Sequence, residues 1–245
     1  LLKIGAQVIM TDINYKKLLE KSKNIEKIIG LKPLIYKMDV SDFKSIKKVN
    51  SNLKKRGLSV SILINNAALN PTLKNKNKAF SNRLEDFNID TFKREFEIGL
   101  MGALLCSIEF GLSMSKKNGG VIINISSDLS VISPDQRLYK NKKLNKSKQS
   151  VKPISYSIIK TGLVGLTRYL STYWADKNVR SNALSPGGIY DGQDDLFVKK
   201  LNKLVPLGRM AKKDEYHGVI QFLSSDASSY LNGQNIVMDG GRSVW

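Results

Sequence analysis

The sequence predicts an α/β fold built on a doubly wound parallel sheet, and three observations carry that expectation. Short apolar runs alternate with longer segments of helical periodicity along the chain, the order that parallel strands joined by crossover helices require. The runs are apolar almost throughout, as in Val121-Ile122-Ile123-Asn124-Ile125, which suits strands covered on both faces. Two long irregular segments, 69–90 and 128–153, each follow a run's carboxyl end, where open α/β sheets place their ligands.

Taken in order, the first strand spans 7–12 and leads into a helix over 15–29, whose outer face is carried by lysines between Lys16 and Lys27. The second strand, 33–39, precedes a helix over 42–56 with the same lysine-rich character. A third strand at 60–65 runs into the first irregular segment and then a long helix over 91–117. The strand at 121–127 opens the second irregular segment, which ends at a helix over 155–176. Strand 179–184, helix 213–225 and strand 235–239 complete the alternation. With 245 residues, 41% of them hydrophobic, the chain can bury a full core as one domain over 1–245, although length alone also allows two.

The formal net charge of +19 raises nucleic-acid binding, since clustered Lys and Arg neutralise phosphates. The charge is dispersed, however: of 40 basic residues only eight are arginine, and the lysines follow helical segments as solvated faces. No nucleic acid is expected as partner. Apolar stretches fall short of the roughly 18 residues that span a bilayer, the first ten residues carry no secretory pattern, and no membrane partner is expected. A single cysteine, Cys106, fits small core filler in a reducing, cytoplasmic compartment. The only histidine, His217, has no partner motif and is expected at the surface. No Cys/His/carboxylate cluster suggests a metal.

Chemistry concentrates at Tyr156-Ser157-Ile158-Ile159-Lys160, where a phenol and an ammonium four positions apart share a helix face. A free tyrosine titrates near ~10, so acid/base work near neutrality needs about 4 kcal/mol of differential stabilisation. A neighbouring cation supplies it by favouring the phenolate. Upstream, Gly119 to Ser127 is an apolar run ending in hydroxyls; downstream lies Val179-Arg180-Ser181-Asn182-Ala183-Leu184-Ser185-Pro186-Gly187-Gly188.

This order resembles the short-chain dehydrogenase/reductase family, from Gly5 to the C-terminus, through Asn65-Asn66-Ala67-Ala68, Pro206-Leu207-Gly208-Arg209 and Asp239-Gly240-Gly241. The resemblance implies a Rossmann-like sheet and an NAD(P)-dependent oxidoreductase that interconverts a hydroxyl and a carbonyl. It implies that Tyr156 transfers the proton at the substrate oxygen, that Lys160 acidifies Tyr156 and holds the nicotinamide ribose, and that Ser127 stabilises the developing alkoxide. Ser126 is the adjacent alternative, and strand-end capping is the bland role for Ser127. The family's catalytic asparagine falls on Gly99, which keeps only its main-chain carbonyl, offered in a helix kink; the alternative is an impaired proton relay.

For the cofactor, Asp12 at a strand end would accept from the adenosine ribose and repel a 2′-phosphate, which favours NAD over NADP; its ordinary use would be helix capping. Asp39 and Val40 match the adenine contact, Asn66 and Ala67 the ribose contact, and Pro186, Gly187 and Ile189 the nicotinamide segment. Folds of this kind open with a strand and a glycine-rich turn. Leu1 to Ala6 instead looks like the tail of that first helix, so the expectation is a fragment lacking the first βα unit, poorly folded and weak in dinucleotide binding.

The irregular segments contain Lys74, Lys76, Lys78 and Arg83, and Arg137, Lys140, Lys142, Lys143, Lys146, Lys148 and Lys152. A cationic rim would draw an anionic small-molecule substrate; the alternative is general lysine bias. Ser133 to Tyr139 and Ser185 to Tyr190 are similar to a branch called flagellin modification protein A, associated with surface sugars. That implies a sugar or nucleotide-sugar substrate. The other readings are a 3-oxoacyl carrier-protein reductase, which prefers NADP, and a catalytically impaired homologue that only binds. By resemblance, the long helices imply a homodimer or homotetramer.

Overall fold

The structure is a computed structural model, and it describes residues 1–69, 82–117, 119–141, 144–145 and 149–245. All strand pairs in it are parallel. Strands β1 (Ile9–Asp12) and β2 (Leu34–Lys37) form a two-stranded sheet; β3 (Ile62–Asn65), β4 (Gly120–Ile125), β5 (Val179–Pro186) and β6 (Asn235–Met238) form a four-stranded sheet in that order. The two sheets share no ladder. They are joined through side chains: Ile46, Val49 and Leu53 of α2 (Phe43–Lys55) pack with Cys106 and Phe110, against Ile9 and Tyr36 on one side and Leu63 on the other.

The period of two along β4 sorts its side chains to opposite faces. Ile122 packs with Met114 of α4 (Gly102–Ser115) and with Leu170 and Trp174 at the end of α5 (Ile154–Tyr173). Val121 and Ile123 face Tyr216, Leu223 and the rest of α7 (His217–Leu223). Both faces are therefore covered, and Ile122, Ile123 and Ala183 have no exposed surface. The helix α1 (Tyr15–Ile29) has the expected bounds, capped by Asn14 and closed by Gly30 in the left-handed region at φ 70°.

Three expectations need correction. The long helix is interrupted: α3 (Ile89–Phe96) passes into a π turn over Glu97–Met101 before α4 begins. A short helix, α6 (Asp195–Asn202), lies where the sequence suggested none. The continuous run Ile89–Ser115 is also long and apolar enough, by length and composition, to cross a membrane. Its apolar side is instead part of the core, with Cys106 2% and Met114 1% exposed, and its first turns carry Lys93, Arg94, Glu95 and Glu97. Cys106 is core filler as expected, and burial pushes its thiol up to about 12. His217 is exposed.

Candidate active site

The site forms where β4 ends and α5 begins. Two buried networks fix that junction. Asn65 donates to Asn124 (2.8 Å) and Ser107 (3.0 Å), and Asn124 donates to Thr167 (2.8 Å), so β3, β4, α4 and α5 are tied through two buried amides. Above them Ser126 Oγ donates to the Lys160 carbonyl at 2.7 Å, and Lys160 Nζ donates to the Ile125 carbonyl at 2.8 Å. The two adjacent serines thus diverge in use: Ser126 pins helix to strand, while Ser127 bears on Tyr156, whose ionised form it favours.

Ser127 also performs the bland local role. Its hydroxyl accepts from the Leu129 amide (3.2 Å) and donates to Asp128 Oδ1 (2.8 Å). Asp128 is in turn held by Arg242 at 2.7 Å, both side chains under 10% exposed. Behind the helix start, Ser155 donates to buried Glu95 of α3. Asp128, Arg242 and Glu95 were not singled out from sequence. The signal for Glu95 was a carboxylate on an otherwise apolar helical face; Arg242 follows Asp239-Gly240-Gly241 but is 114 residues from its partner.

Electrostatically the centre is crowded with cations. Burial pushes the Tyr156 phenol above its ordinary value, with Ser127 opposing and Asp128 adding to the rise. The expected lowering by lysine is therefore not found: burial sets the direction, and Ser127 is the group that opposes it. Burial also pulls Lys160 down to about 8, with the charge of Lys152 as second cause, and Lys152 itself to about 8. Lys152 stands with its ammonium 3.5 Å from the Tyr156 ring centroid; Lys160 Nζ is 5.7 Å from it.

The remaining candidates line the carboxyl ends of the strands. Asp12 is exposed at the end of β1, its Oδ1 accepting from the Asn14 amide at 2.7 Å; the cap of α1 is Asn14 itself. Asp39 accepts from the Ser41 amide (2.9 Å) and hydroxyl (2.6 Å), while Asp42 caps α2. Val40 packs on Gly102, where an added Cβ would lie 2.7 Å from its Cγ2. Asn66 and Ala67 are exposed just beyond β3.

Pro186 ends β5, and Gly187 lets the backbone of Asp239 approach, since a Cβ there would lie 2.7 Å from the Asp239 Cα. The Ile189 carbonyl accepts from Gln193 (2.8 Å). Of the cationic rim, Arg83 pairs with Glu85 and Arg137 with Asp135. Lys74, Lys76, Lys78, Lys142, Lys143, Lys146 and Lys148 lie outside the described residues.

The family described as Enoyl-(Acyl carrier protein) reductase matches residues 1–243. The chain is 28% identical, over 98% of its length and 85% of the relative's, to an NAD-dependent glycerol dehydrogenase of Listeria innocua. It is 34% identical to post-translational flagellin modification protein A of Campylobacter coli over 58% of this chain and 53% of that one. It is 27% identical, over 97% of its length, to an uncharacterized short-chain type dehydrogenase/reductase of Sinorhizobium fredii, of which it spans 39%. The crystal structure of a short chain dehydrogenase from Leptospira borgpetersenii with bound NAD+ superposes with a TM-score of 0.79 at 28% identity, over 99% of this chain and 85% of that one.

Proposed function

We propose that this chain, which belongs to the short-chain dehydrogenase/reductase family, interconverts a hydroxyl and a carbonyl on a small polyhydroxylated substrate of the sugar or nucleotide-sugar type. The observation that carries the reading is the convergence of Ser127, Tyr156 and Lys160 from two elements locked together by the Ser126 and Lys160 hydrogen bonds. The nicotinamide cofactor, when bound, supplies or accepts the hydride.

Everything else is work for the protein's own groups. Tyr156 gives its proton to the substrate oxygen on reduction and takes it on oxidation. Ser127, its hydroxyl turned from Asp128 Oδ1, donates to the same oxygen as charge develops there. Lys160, fixed by the Ile125 carbonyl, keeps further N–H donors for a ribose hydroxyl.

The residues present fit such a cofactor. Asp12 keeps one carboxylate oxygen without a partner among the described residues, at a strand end where a ribose diol would be met and a 2′-phosphate repelled. That favours NAD. Asp39, Val40, Asn66 and Ala67 border the adenosine side, and Pro186, Gly187 and Ile189 the nicotinamide side. The similarity to flagellin modification protein A supports a surface-sugar substrate, and the paired state of Arg83 and Arg137 weakens the simple anionic-rim argument. We place the activity in the cytoplasm, in a homodimer or homotetramer, with neither nucleic acid nor membrane as partner.

A second reading, reduction of a 3-oxoacyl thioester, is favoured by 29% identity, over 97% of this chain, to a 3-oxoacyl-[acyl-carrier-protein] reductase of Thermotoga maritima. Both are tested by supplying the protein with polyols, nucleotide-activated sugars and acetoacetyl thioesters, each with NAD(H) and NADP(H), and following nicotinamide absorbance. Turnover of a sugar with NAD supports the first reading. Turnover confined to the thioester with NADPH replaces it with the second.

A further inference from the structure

Tyr156 is bracketed by lysines four residues to either side, Lys152 and Lys160, and the structure brings both ammonium groups to one ring. Lys152 Nζ is the nearer, 3.5 Å from the centroid, whereas Lys160 Nζ at 5.7 Å is turned to the Ile125 carbonyl. Lys152 is held there by local structure. It precedes Pro153, the N-cap of α5, and its amide donates to Gln136 Oε1 at 2.8 Å, which ties it to the turn Gln136–Tyr139.

Its ammonium makes no hydrogen bond or ion pair among the described residues. What it meets is the ring face and the fields of Asp128 and Glu95. Those carboxylates are committed elsewhere, Asp128 to Arg242 and Ser127, Glu95 to Ser155.

A cation over a neutral phenol gains about 0.5–2 kcal/mol from the ring quadrupole. When the phenol ionises, its negative charge spreads into the ring, and the same contact becomes an attraction between opposite charges, which favours the ionised form. We propose that Lys152 is a second positioning cation for Tyr156, stabilising its phenolate through the ring face and sharing with Lys160 the task of making the phenol an acid/base.

The inference rests on Tyr156 being the acid/base of the proposed reaction. Around Tyr156 and Lys152 stand Ser127 and Asp128 at the end of β4, Tyr139 of the preceding turn, Glu95 of α3, which acts on Lys152, and Arg242 of the C-terminal segment, paired with Asp128; the charge on Asp128 resists ionisation of the phenol. Because Lys152 and Lys160 are both pulled to about 8, they oppose that resistance fully only below that pH.

The test needs neither substrate nor cofactor. The chain is labelled with 13C at tyrosine Cζ, the Tyr156 resonance is identified by its loss in Tyr156→Phe, and its ionisation is followed against pH in the wild type, Lys152→Met, Lys152→Gln, Lys152→Arg and Lys160→Met. Folding of each variant is checked by circular dichroism. The expected result is read against Lys152→Arg, whose guanidinium stays charged through the phenol titration: its Tyr156 midpoint lies about one unit below that of Lys152→Met or Lys152→Gln, a tenfold higher ionised fraction at a given pH, with the wild type, whose Lys152 is pulled to about 8, between them.

A midpoint no lower in Lys152→Arg than in Lys152→Met overturns the role of Lys152 and leaves the acid/base reading standing. The acid/base reading fails separately, if Tyr156→Phe turns over like the wild type. Should Lys152→Met and Lys152→Gln both unfold while Lys152→Arg folds with a wild-type midpoint, the lysine is a fold determinant and the proposal is overturned.

Discussion

Asp128 and Arg242 show how far single residues of this site depend on distant chain. Their 2.7 Å pair is almost fully buried, so removing the guanidinium strands a carboxylate in a poorly solvating interior. Arg242→Met should cost about 3–5 kcal/mol of unfolding free energy, read from denaturant midpoints, and adding Asp128→Asn should recover part of it. Sequence alone gave no access to that pair, because nothing local links two residues 114 positions apart. Tyr156 and Lys160 were legible because their spacing is itself the geometry of a helix face. Ser126 and Ser127 were indistinguishable by type, and only the turn of the chain after Ile125 separates the serine that donates to the Lys160 carbonyl from the one that faces the phenol. Lys152 was read only as one lysine of a loop rim, since its position over the ring depends on how that loop returns to α5.

At the scale of elements, the departure at Gly99 was visible in the sequence, and a kink was expected, but the π turn that forms it was not. Gly99 sits in the middle of Glu97–Met101, and a Cβ there would lie 2.8 Å from Ile159 Cγ2 on α5. The glycine is therefore matched to its neighbour across the helix pair. Gly99→Ala should destabilise by about 1–3 kcal/mol through overpacking, and Ile159→Ala in that background should cost less than it does alone. A thermodynamic cycle of melting curves measures both. The short helix α6 escaped notice because eight residues give little more than two turns of periodicity; Asp194, which accepts from the Leu196 and Phe197 amides, was its available signal.

For the whole molecule, the alternation of apolar runs and helices disclosed the parallel architecture, while its division into two sheets depends on which strands find ladder partners in space. The surface carries a further pattern. Ile158, Tyr169 and Tyr173 share one face of α5 and are 42%, 63% and 59% exposed, and Leu112 of α4 is 45% exposed. If these helices join protomers as proposed, light scattering should find a dimer or tetramer for the wild type and a monomer for Tyr169→Asp/Tyr173→Asp with its fold retained. A wild-type monomer would remove the proposed assembly. The central claim is that one phenol moves the proton of a hydride-transfer reaction, and the most direct measurement is steady-state turnover of Tyr156→Phe against wild type on the best substrate and cofactor. The account predicts a loss of at least ~100-fold in kcat with circular dichroism unchanged; a variant turning over within about twofold of wild type would contradict it.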